Sequence, residues 1–156
     1  MYTMEAIAAA EKARTLSSFT TEEGWKLGVM ARELCMERKL PVTICVEKCG
    51  QVVFQCALEG TTPDNDRWMA GKRNVVRLTH HSSLYAKVKV ASRGGDLEEA
   101  LGLSRLEYRC VGGSVPVLVS NVGVVGSLTV SGLADTEDHE LVMELLQRFR
   151  DMQEQK

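Results

Sequence analysis

The sequence has no CxxC pair, no GxxxxGK[ST] or GxGxxG pattern, no internal repeat and no low-complexity tract. No apolar run in it approaches the ~20 residues that a membrane-spanning helix requires. Each absence removes a class of function. Without the glycine patterns nothing supports a nucleotide-phosphate loop, and without the apolar run nothing supports a membrane role. Excess charge is missing too: 19 Lys and Arg against 21 Asp and Glu leave a formal net charge of -2, which speaks against a dedicated nucleic-acid binder. Any cationic surface must therefore be local. Cys35, Cys45, Cys49, Cys56 and Cys110 are odd in number and lie mostly in apolar runs, so they read as buried or reduced thiols rather than a disulfide frame. Their spacing suggests no metal site. Met1 to Arg14 lacks the apolar core of a signal peptide, and together these features point to a cytoplasmic location.

What is present is an ordinary globular composition, 44% apolar and 26% charged over 156 residues. A single domain spanning 1–156 is expected, and a chain of this size buries roughly 70% of its unfolded surface. Thr3 to Leu16 favours a weakly amphipathic helix. Thr20 and Glu23 make a capping-box pattern, and Leu27, Met30, Ala31, Leu34 and Cys35 follow as the stripe of a helix ending near Lys39. The period then switches to two. Val42, Ile44 and Val46 alternate with Thr43, Cys45 and Glu47, as in a strand with one face on the core. Gln51 to Leu58 returns as its hairpin partner, with Val52, Phe54, Cys56 and Leu58 on one face.

Gly60 to Ser83 holds the least usual chemistry. Thr62, Pro63, Asp64 and Asn65 specify a helix start. Trp68, Lys72, Val75 and Thr79 then share one face, while Arg73, Arg77 and His80 or His81 share another. Leu84 to Asp96 reads as an irregular connection because Lys87 and Lys89 interrupt its alternation. Asp96 and Glu99 cap a short helix, and Arg105 to Val111 reads as a strand. Gly112-Gly113 permits a tight turn or a close backbone approach. Ser114 to Ser120 and Gly123 to Leu133 form a second hairpin, with Gly126 at a bulge or close approach. Asp135 or Thr136 caps a last helix whose stripe is Leu141, Val142, Leu145, Leu146, Phe149 and Met152. Runs of strands rather than strict βα alternation indicate an α+β domain with helices packed on an antiparallel sheet.

Several stretches carry a family resemblance: Gly60 to Asn65, Trp68 to Asn74, Ser82-Ser83, Gly112-Gly113 with Val115 to Val117, and GVVGSLTVSGL running to Asp138-His139. In that order and spacing the chain resembles the GlcG/HbpS-like haem-degrading domain superfamily, in its functionally unassigned, stand-alone cytoplasmic branch. The resemblance implies an α/β sandwich similar to profilin- or PAS-like folds, with a five-stranded antiparallel sheet. It further implies a homo-oligomer built from dimers and, in some relatives, binding of haem or related tetrapyrroles. No haem ligand is carried over by it.

From the residues themselves, His80 and His81 are the axial-ligand candidates, with Arg73 and Arg77 as partners for carboxylates. Adjacent helical residues diverge by about 100°, so at most one of the pair is expected to face a given pocket, and a helix C-terminus is an equally good reason for histidine. Asn65, Trp68, Lys72, Gly112, Gly113 and His139 complete the candidate ligand-binding set. Each has a structural counterpart: helix capping for Asn65, core or interface packing for Trp68, turn geometry for the glycines, and a capping box with Thr136 for His139. No Ser or Cys beside a base and a third orienting group marks a nucleophile, so no catalytic residue is assigned. The leading expectation is a homo-oligomeric domain that binds a small anionic ligand, haem or a related tetrapyrrole being the best match. The alternative is a non-enzymatic assembly or adaptor protein using the same helix as its interface, with a His139 or His81 hydrolase or isomerase as a third reading.

Overall fold

The computed structural model describes residues 1–156. Its elements run α1 (Met4–Ala13), α2 (Thr21–Glu37), β1 (Thr43–Lys48), β2 (Gln51–Ala57), α3 (Pro63–Thr79), α4 (Ser83–Arg93), α5 (Leu97–Leu101), β3 (Ser114–Val119), β4 (Gly123–Ser131) and α6 (Asp135–Glu154). Local chemistry sets most of these limits. The Thr20 hydroxyl accepts from the Glu23 N–H at 3.1 Å and the Glu23 carboxylate accepts from the Thr20 N–H at 2.9 Å, closing the capping box at the start of α2. Asp96 and Glu99 repeat the device at α5.

The sheet has four strands, not five, in the order β2-β1-β4-β3, every neighbouring pair antiparallel. The expected fifth strand, Arg105 to Val111, is a loop. Its polar backbone is partly satisfied by α3 instead of a strand: the Arg109 N–H donates to the Gly71 carbonyl at 3.1 Å, and the Asn74 side chain donates to the Glu107 carbonyl at 2.8 Å. Leu84 to Arg93 is likewise helical rather than irregular. Leu84, Ala86, Val88 and Val90 also contain the i, i+4 pairs of a helix, and the Ser82 hydroxyl caps it by accepting from the Tyr85 N–H at 3.1 Å. Ser82 and Ser83 therefore begin α4 rather than end α3.

One continuous apolar core lies between one face of the sheet and helices α2 and α6. Val42, Ile44 and Val46, Val115 and Val117, and Leu128 and Val130 meet Leu27, Ala31, Leu145 and Leu146 there. Burying a side chain of this type stabilises the fold by roughly 1.5–3 kcal/mol. Met152 stays exposed at the end of the α6 stripe, and Val52 falls off the core face because a bulge at Val53 shifts the β1–β2 register. The larger departure concerns β1. Its second face, expected in solvent, is buried by α3, so Thr43, Cys45 and Glu47 are enclosed with Ser127, Thr129 and Ser131 of β4 and Ser114 of β3. The domain thus has an apolar interface on one side of its sheet and a polar one on the other. Gly126 serves a close approach of β4 to β1, since a Cβ there would sit 2.0 Å from the Glu47 carbonyl oxygen.

Candidate functional site

The polar interface is what α3 is built to meet. Lys72, one turn into the buried face, donates from Nζ to Asp138 Oδ2 at 2.9 Å and to the Val130 carbonyl at 3.2 Å. Asp138 also accepts the N–H groups of Gly132 at 3.3 Å and Leu133 at 3.0 Å, which fixes the β4–α6 turn. The expected Asp135 or Thr136 cap is therefore replaced: Ala134 occupies the cap position and makes no side-chain bond. Burial pushes the Lys72 ammonium down and the Asp138 carboxyl up, each drawn part of the way back by the other. Gly113, at φ +134°, lies under this pair, and a Cβ there would approach Lys72 Nζ to 2.7 Å. Lys72 and Gly113 are thus brought together inside the protein.

One turn further, Glu47 of β1 receives both arginines. Arg77 donates from Nε to Glu47 Oε2 at 2.7 Å, while Arg73 Nε lies 3.3 Å from the same oxygen without the alignment of a hydrogen bond. Arg73 also donates to the Cys45 sulfur at 3.4 Å. The hydrogen bond to Glu47 raises the Arg77 pKa, whereas burial raises that of the Cys45 thiol. The cationic edge read from the sequence accordingly faces the sheet, although the Arg77 side chain keeps 39% of its surface exposed.

At the end of α3, His80 adopts the left-handed conformation, φ 59° and ψ 20°, and its N–H bonds to the Val76 carbonyl at 2.9 Å. Its ring has no hydrogen bond or ion pair within the chain. His81 is committed: Nδ1 lies 2.8 Å from Glu11 Oε2, and the ring stacks on Tyr85 with centroids 4.0 Å apart. Glu11, itself buried, accepts the Ser82 N–H at 2.8 Å through its other oxygen, so α1 is latched to the α3–α4 junction. Because His80 leaves helical geometry, both histidines line one groove of about 550 Å³ between α1 and the β3–β4 hairpin, where the helical 100° rule predicts only one. Lys12, Leu118 and Val122 share that groove. His80 also borders a smaller cavity of about 200 Å³ walled by Glu47, Arg77, Gly126 and Ser127.

The remaining candidates lie apart. The Asn65 side chain accepts from the Thr62 N–H at 2.9 Å at the opposite end of α3, about 22 Å of helix from His80. Trp68 sits beneath the Arg109 guanidinium, 4.3 Å from its ring centroid. A Cβ on Gly112 would lie 2.2 Å from the Asp135 carbonyl oxygen, so this residue serves a close chain crossing. His139 lies beyond the first turn of α6 and is not a partner of Thr136. It meets the Tyr2 ring edge-on at 5.6 Å, its Nδ1 is buried without a partner, and burial lowers its pKa to about 4. Sequence reading missed Glu11, Lys12, Glu47, Ser127 and Asp138 as site groups. For Glu47 the signal was visible as its alternation with Val46, but it was assigned to solvent.

Comparison with known proteins adds a family and a fold. The family described as haem degrading protein HbpS-like matches residues 19–147. A UPF0303 protein of Streptomyces coelicolor is 42% identical over 147 residues, covering 94% of this chain and 93% of the relative. Among solved structures, Ybr137w superposes with a TM-score of 0.87 at 28% identity over 96% of this chain and 88% of that one. The PduOC:heme complex superposes with a TM-score of 0.69 at 13% identity over 85% and 94% of the two chains, a likeness of fold.

Proposed function

Since the chain belongs to the HbpS-like haem-degrading family, we propose that it binds haem or a related anionic tetrapyrrole in the groove between α1 and the β3–β4 hairpin. The observation that carries this reading is His80, an exposed imidazole with no partner in the chain, held at the groove wall by a left-handed helix end. A neutral imidazole is a good axial nitrogen for iron, and the groove volume of about 550 Å³ lies within the usual range for small-molecule sites. Leu118, Val119 and Val122 offer an apolar wall, and the Lys12 ammonium offers charge to a carboxylate arm. His81 plays a different part. Bound to Glu11 and stacked on Tyr85, it holds the groove wall and keeps α1 in place. Bound haem would supply an iron centre for redox or oxygen chemistry, while the chain supplies the nitrogen, the apolar wall and the counter-charge.

Haemin titration of the purified protein tests this: a saturable Soret shift is expected, and its absence sinks the reading. The 13% identity to PduOC gives fold likeness alone, so the support is family membership plus the free imidazole.

A second reading concerns assembly as a cytoplasmic homo-oligomer built from dimers, or as an adaptor. It is favoured by β2, an edge strand without a charged residue or proline, with Trp25, Met36 and Val52 exposed near it. Arg73 and Arg77 pair with Glu47 of their own chain, so β2 rather than α3 is the better interface. Light scattering during size-exclusion chromatography tests it, a monomer at micromolar concentration being the contrary result. No helix is long and apolar enough to cross a membrane.

A further inference from the structure

The smaller cavity beside His80 has features that a tetrapyrrole groove does not need. Its wall carries two groups that folding leaves incompletely matched. Ser127, 1% exposed, has an Oγ with no hydrogen-bond partner. Glu47, 3% exposed, directs every contact it makes through Oε2, leaving Oε1 unbonded. The two residues are direct partners across the β1–β4 ladder, so they stand side by side on the face that α3 covers. Buried hydroxyls and carboxylate oxygens are normally paired, because an unmet one costs about 1–3 kcal/mol. The unpaired Ser127 hydroxyl therefore asks for a ligand, and Glu47 Oε1, which has no hydrogen bond within the chain, stands beside it as an acceptor.

The chemistry around them narrows its identity. Arg77 and His80 add donors, and Arg73 and Arg77 outweigh the single carboxylate of Glu47, so the local balance favours an anion. A carboxylate acceptor in such a setting, however, repels any anion that has no proton to give it. A protonated oxyanion satisfies both demands: its P–OH donates to Glu47 Oε1, while its charged oxygens accept from Arg77, His80 and the Ser127 hydroxyl. Phosphate keeps at least one P–OH throughout the neutral range and sulfate keeps none. The cavity, about 200 Å³, admits a tetrahedral oxyanion and little more.

We propose that this cavity is a site for hydrogen phosphate, and that Glu47 discriminates against sulfate, and against phosphomonoester dianions, by requiring a proton from the ligand. The site goes beyond the tetrapyrrole reading and shares only His80 with that groove.

The test is calorimetric titration of the full-length protein with sodium phosphate and with sodium sulfate at matched ionic strength, repeated with Ser127→Ala and Glu47→Gln. Phosphate is expected to saturate and sulfate not to. Ser127→Ala should weaken phosphate about tenfold, as expected for one hydrogen bond to a charged ligand. Because that hydroxyl has no partner in the chain, the variant should melt no lower than the parent and should still bind haemin, which separates this site from the groove. Glu47→Gln, whose amide can donate, should narrow the preference for phosphate over sulfate. Should Glu47→Gln fail to fold, the Ser127→Ala comparison decides alone. Equal affinity for the two anions, binding of neither, or phosphate affinity untouched by Ser127→Ala would each overturn the proposal.

Discussion

Replacing Lys72 with methionine isolates the interaction that joins α3 to the β4–α6 turn. The side chains of Lys72 and Asp138 are 3% and 1% exposed, and their 2.9 Å contact is shielded from water. Removing one member of such a pair leaves the other charge buried, at a cost of about 3–5 kcal/mol. For a chain of this length that lowers the melting temperature by roughly 10–15 °C. Asp138 keeps two backbone donors, Gly132 and Leu133, so the penalty belongs to the charge rather than to unmet hydrogen bonding. The pH dependence follows from the sign of the shift. Burial already raises the Asp138 pKa, and loss of the ammonium raises it further. Between its ordinary and its folded value the native state then binds more protons than the unfolded one, so stability falls as pH rises through that window. The Lys72→Met penalty is therefore largest at neutral pH and shrinks as pH descends toward the ordinary carboxylate range. The double variant Lys72→Met, Asp138→Leu should cost less than the sum of the two single variants, because no charge is stranded, although the Gly132 and Leu133 N–H groups lose their acceptor. Urea unfolding at two pH values measures all three terms. A single-variant cost below about 1 kcal/mol, or a double variant whose cost equals the sum of the singles, would refute the reasoning.

Three further outcomes follow from the same geometry. Gly113→Ala places a Cβ 2.6 Å from the Val130 carbonyl oxygen at φ +134°, and should cost more than about 3 kcal/mol in thermal or denaturant unfolding. His139 is buried with its pKa lowered from 6.5 to about 4, so the folded state resists its protonation, and its neutral form's stability is complete above 6.5 and lost as pH falls toward 4. His139→Phe should remove about 3 kcal/mol of that acid sensitivity, read as a flatter stability profile between pH 6.5 and 4. Glu11→Gln loosens the α1 latch, which amide exchange should register as faster exchange in Met4–Ala13 with the sheet unchanged.

Most of the fold was legible because its signals are local. The Thr20–Glu23 and Asp96–Glu99 capping boxes, the Leu27 to Cys35 stripe and the two hairpins each follow from residues a few positions apart. The failures are where a distant element decided the outcome. Arg105 to Val111 has strand-like composition, yet α3 takes its backbone bonds. Leu84 to Val90 satisfies both periods, and only the Ser82 cap and packing against α1 and α3 select the helix. At the site, the sequence isolated Arg73, Arg77 and the histidine pair as unexplained. It could not assign their direction, because Glu47 lies 26 and 30 residues upstream of the two arginines and Glu11 lies 70 residues from His81. Alternation placed Glu47 opposite Val46 but said nothing about whether a helix would cover it.

The central claim, that the free imidazole of His80 makes the groove a tetrapyrrole site, is tested most directly by haemin dissociation constants for the parent, His80→Ala and His81→Ala proteins. His80→Ala should lose the saturable Soret shift and regain it with added imidazole, whereas His81→Ala, losing a wall rather than a nitrogen, should bind more weakly with the same spectrum. An unchanged Soret shift and affinity in His80→Ala would contradict the account.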